Sequence, residues 1–151
     1  MTIRLQASQK SLYETDFVRW VETTLEQLRA QDYANVDWTN LLEEIEDMSK
    51  RERKSLKSNL VVILLHLLKW QYQPEFRSGS WRGSIREHRR RINDDLKDSP
   101  SLQPYLQQIF VECYMNAREQ AADETGLSLE TFPVDCLFTS EQSLDSSFLP
   151  E

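Results

Sequence analysis

Apolar residues recur at helical spacing along most of this chain. Tyr13, Phe17, Trp20, Val21, Leu25 and Leu28 form one stripe behind Ser11 and Glu14, which have the spacing of a capping box, so a first helix is predicted to end near Gln31. Asp37 has the character of an N-cap for a second helix. Its buried side is read as Trp38, Leu41, Leu42, Ile45 and Met48, with Glu43, Glu46 and Asp47 left to water. Ser49 and Glu52 repeat the capping-box spacing, which admits either a new helix at Ser49 or a bend in a continuous one running to about Tyr72. From Leu56 to Trp70 the pattern is apolar nearly all round, as expected of an element surrounded by others.

Pro74 and Gly79 mark a connection over residues 73–80. A charged helix follows, with the single stripe Trp81, Ile85, His88, Ile92 and Leu96, which places it on the outside of the core. After the break at Ser99-Pro100-Ser101, a helix from about Leu102 to Thr125 buries Leu106, Ile109, Phe110, Cys113, Ala117 and Ala121, and Gly126 stands at its C-terminal cap. Ala117 and Ala121 would let a neighbouring helix approach closely. Beyond Gly126 the periodicity is lost, but Leu129, Phe132, Phe138, Leu144 and Phe148 imply a segment laid across the helices. Thr139 and Gln142 cap one short helix within it. The expected fold is an all-α bundle of four or five main helices around the apolar central one. Its expected organisation is an N-terminal extension at 1–10, a bundle at 11–126 and a packed C-terminal segment at 127–151.

Three glycines, five prolines and 28% charged residues suit long helices and leave little material for hairpin turns. The net charge of −7 sets the chain against a phosphate backbone unless its cations gather on one face. Nucleic acid is therefore a partner only through a ridge between Arg77 and Arg91. Residues 1–10 lack the apolar run and cleavage site of an export signal, so a cytoplasmic location is expected. The longest apolar run, Leu60 to Leu68, is interrupted by His66 and is too short for a membrane span. Cys113 and Cys136 lack metal or redox spacing and read as reduced thiols.

Several separate strings carry a resemblance. They are Asp37-Trp38, Leu42-Glu43-Glu44-Ile45-Glu46-Asp47-Met48, His66-Leu67-Leu68-Lys69-Trp70, Ser99-Pro100-Ser101-Leu102, Ala117-Arg118, Glu124-Thr125-Gly126-Leu127, Phe132-Pro133 and Phe148-Leu149-Pro150. In that order and over about Tyr13 to Glu151, the chain resembles the bacterial family called domain of unknown function 29. One departure is Leu137, where the family often has proline after the cysteine. The resemblance implies an all-α domain and supplies no catalytic residues.

Three constellations bear on chemistry. Asn59 and His66, with Ser55, fall in one narrow wedge of the central helix, and a hairpin centred on residue 77 would bring His88 to the level of His66. That polar cleft could hold a metal through two imidazoles and a carboxylate such as Asp95, Glu44 or Glu112, although no ExxH or HExxH spacing is present. Satisfied core histidines are the simpler explanation, and no cofactor is called for. Second, Arg82, Arg86 and Arg89 form a ridge that could bind phosphate, or pair with acidic faces. Arg82 and His88 enclose five residues, a spacing compatible with the Arg-x4-6-His pair of all-α endoribonucleases, in which histidine moves a proton and arginine steadies charge. Third, Glu43, Glu46 and Asp47 form an acidic helical face suited to a basic partner. No nucleophile with its base, phosphate loop or metal box is legible, so a regulatory module that binds a protein leads, with RNA cleavage and metal binding as alternatives.

Overall fold

The computed structural model describes residues 11–151; the expected N-terminal extension lies outside the described residues. The helices are α1 (Leu12–Thr15), α2 (Phe17–Arg29), α3 (Trp38–Tyr72), α4 (Gly79–Asp98), α5 (Leu102–Thr125) and α6 (Ser140–Leu144), with short 3-10 turns at Tyr33–Asn35, Pro74–Phe76 and Leu129–Thr131. No strand occurs among the described residues, so the all-α expectation holds. None of these helices is long and apolar enough to cross a membrane. They fall into two compact units that divide at Ser49 and Lys50.

The choice left open at Ser49 resolves as one continuous helix of 35 residues, about 50 Å long. All of residues 49–55 are exposed, and the segment is helical because Lys, Arg and Glu dominate it. The N-terminal helix, by contrast, comes in two pieces. Asp16 leaves helical geometry at φ −152°, and its carboxylate accepts the Arg19 N–H at 3.1 Å to start α2.

Lys50–Glu151 holds the core. Leu56, Leu60, Ile63, Leu64 and Leu67 of α3 are fully buried against Ile85 and Ile92 of α4 and Leu106, Cys113, Ala117 and Ala121 of α5. Gly126 ends α5 in the left-handed conformation at φ 72°, where a glycine carries no Cβ penalty. The C-terminal segment lies over these helices with Phe132 and Phe138 buried, and α6 opens with the full Thr139–Gln142 capping box.

Two buried arginines fasten that segment. Arg118 on α5 donates from Nε to the Phe132 carbonyl at 2.8 Å. Arg89 on α4, only 3% exposed, donates from Nε to the Ser143 carbonyl at 2.8 Å and from Nη2 to the Gln142 carbonyl at 3.3 Å. Each guanidinium spends N–H donors on backbone carbonyls of the C-terminal segment, which is why cations are tolerated inside. Asn93 adds a bond to the Leu144 carbonyl, and Tyr114 donates its hydroxyl to the Pro133 carbonyl.

Candidate interaction surface

Residues 11–49 contain a helical hairpin, α2 followed by the first three turns of α3. Gln31 turns the chain at φ 57° without glycine, closing a Schellman motif in which the Gln31 and Asp32 N–H groups bond to the carbonyls of Leu28 (3.1 Å) and Gln27 (2.8 Å). Asp37 then serves both helices. One carboxylate oxygen accepts the Trp20 indole N–H at 3.3 Å, and the other accepts the Asn40 N–H at 3.4 Å at the start of α3.

The buried residues of this unit are Trp20, Thr24 and Val36. Trp38, Leu42, Ile45 and Met48, expected on the buried side of their helix, are 44–61% exposed, as are Phe17, Val21 and Leu25 at 42–48%. Their spacing did mark one apolar face on each helix, but periodicity says nothing about what covers a face. Phe17, Val21 and Leu25 on one side and Ile45 and Met48 on the other line a groove of about 210 Å³ floored by Trp20 and Thr24. At one end Tyr13 packs edge-on to Phe17 and Trp20, with centroids 5.8 and 4.9 Å away, and donates its hydroxyl to Glu44. That bond, burial and the charges of Glu44, Glu43 and Asp47 push the phenol up to about 12. Glu43 and Glu46 are exposed and Asp47 is half-buried.

The expected arginine ridge is divided. Arg89 faces inward and is spent on the C-terminal segment, which removes it as a surface ligand for phosphate. Arg82 is exposed and lies over the Trp70 ring at 5.4 Å, with Arg77 at 5.1 Å from the same ring. Arg90 and Arg91 hold Glu87, bringing its carboxyl down to about 2, and Arg90 also pairs with Asp94 at 2.9 Å. Arg86 is exposed.

His66 and His88 are both half-buried, and their charges interact. Each Nδ1 bonds to the carbonyl one turn back, Val62 at 2.8 Å and Ser84 at 2.7 Å, which anchors one nitrogen of each ring within its own helix. Burial, with Lys69 and His88 adding repulsion, lowers the His66 pKa below that of an ordinary imidazole. Asn59 is buried and donates to the Ser55 hydroxyl at 3.4 Å. Among the described residues no three His, Cys, Asp or Glu side chains converge on a metal position. Arg82 and His88, six residues apart on one helix, are separated by about 9 Å along the axis and about 120° around it. They therefore do not share a face.

The bond from the Trp20 indole to Asp37 and the burial of Arg118 have no counterpart in the sequence pattern. The signal for Asp37 was its cap position; nothing in the sequence alone marks Arg118 as buried.

No curated protein and no solved structure matches the chain. Residues 12–149 match the family described as domain of unknown function DUF29, and the chain belongs to it.

Proposed function

We propose that this member of a family of unknown function is a protein-binding module whose contact surface is the apolar groove between α2 and α3. The observation that supports this is a row of large apolar side chains left about half open on both helices of one hairpin. The five groove residues are 42–57% exposed and lie together, unlike the singly scattered apolar side chains of an ordinary surface. The pair considered for catalysis supplies less: Arg82 lies over the Trp70 ring, and it and His88 do not share a face of their helix.

The test is site-specific photo-cross-linking in the source cell. A photoreactive side chain at Ile45 is expected to give discrete adducts with another protein, whereas one at exposed Arg91 is not. Adducts that are equally frequent from both positions, or absent from Ile45, would remove the proposal.

A further inference from the structure

We infer that the groove receives a basic amphipathic helix of a partner protein, its apolar stripe between α2 and α3 and its cations toward the hairpin carboxylates. The inference rests on the protein-binding reading above and names the chemistry of the partner.

Charge is the first argument. Residues 11–49 carry ten carboxylates against Arg19 and Arg29, a net −8 that exceeds the −7 of the whole chain. The hairpin is thus both the most acidic part of the molecule and the part with the open apolar face. Glu44 lines the groove itself, and Glu43 and Asp47 act on Tyr13 at its end. Behind the groove, the outer side of α2 presents Asp16, Glu22 and Glu26. These charges lie within about one to two Debye lengths of the groove at physiological salt, so an approaching cationic helix is attracted and an anionic lipid surface is repelled.

Shape and charge decide between a helix and a second copy. Phe17, Val21, Leu25 and Leu28 repeat at spacings of four, four and three along α2, and Leu41, Ile45 and Met48 at four and three along α3. The groove is therefore about 16 Å long, three helical turns, and matches anchors at i, i+3 or i+4, and i+7. A second copy would bring its own −8 to the same surface.

The test is a binding titration of the full chain with two designed peptides. One places leucines at i, i+3, i+4 and i+7 among lysines; the other is the same peptide with glutamates for lysines. The lysine peptide is expected to bind at least about tenfold tighter, to weaken as salt rises, and to lose most of its affinity to the Leu25→Gln/Met48→Gln chain. Both positions are exposed, so that variant should stay folded, which circular dichroism checks. A Glu43→Gln/Asp47→Asn chain keeps the groove and should flatten the salt dependence. Equal binding of both peptides at the groove would overturn the basic partner while leaving protein binding intact. Binding that survives the groove substitutions would place the site elsewhere and overturn the inference. No peptide binding, with dimerisation abolished by the groove substitutions, would make a second copy the occupant. No binding and a monomer would overturn both readings.

Discussion

Ile45 and Ile63 lie on one helix, eighteen residues apart, and carry the same side chain. One is 53% exposed and the other fully buried. Truncating each to alanine compares two environments at fixed chemistry. For Ile63→Ala, lost transfer free energy and the cavity left in a packed core together give about 2–5 kcal/mol of destabilisation. At Ile45 only about half the side chain is out of water and no closed cavity forms, so the loss is about 1 kcal/mol. Alanine's better helix propensity offsets roughly half of that, leaving about 0.5 kcal/mol. Urea denaturation followed by far-ultraviolet circular dichroism, at two protein concentrations tenfold apart, reads both. An Ile45→Ala cost equal to that of Ile63→Ala at both concentrations would refute the exposed face. A cost that grows with concentration would mean that a second copy covers it.

Arg118→Ala should destabilise the Lys50–Glu151 unit by about 2–4 kcal/mol, because it strands the buried Phe132 carbonyl and removes packing; proteolysis would show earlier cleavage near residues 127–139. Gln31→Gly should raise stability by up to ~1 kcal/mol, since a left-handed φ suits glycine, and an unchanged or lower melting midpoint would count against that turn. The His66 pKa is lowered on folding, so the unfolded chain binds the extra proton. Its contribution is fully present above the ordinary imidazole value of ~6.5 and is lost as pH falls through that value toward the folded pKa. Between pH 7.5 and 5.5 the parent should therefore lose more stability than His66→Gln, and equal slopes would remove the argument. Burial pushes the Cys113 thiol up to about 11 and raises that of Cys136, so both should alkylate slowly at pH 8 until the chain is unfolded.

The helices of the core were legible because their periodicity coincides with burial: Leu56 to Trp70 is apolar nearly all round, and its leucines and Ile63 are buried. Caps at Asp37, Gly126 and Thr139 were legible because the backbone groups they satisfy are local. What failed depended on the environment beyond the helix. The stripe of Trp38, Leu42, Ile45 and Met48 carries the same pattern as a core face, and no sequence term separates a covered stripe from an open one. Arg89 sits at ridge spacing beside Arg82 and Arg86, yet it turns inward and donates to carbonyls over fifty residues away. Ser49 has cap spacing, but the charged residues that follow favour continuing the helix.

The measurement closest to the central claim is a methyl-resolved NMR titration of the full chain with the leucine–lysine peptide. The account predicts shifts concentrated on the methyls of Val21, Leu25, Leu28, Leu41, Ile45 and Met48, with those of Ile63, Leu64, Ile85 and Ile92 unmoved. Shifts centred on α4 or α5, or none at peptide excess, would contradict it.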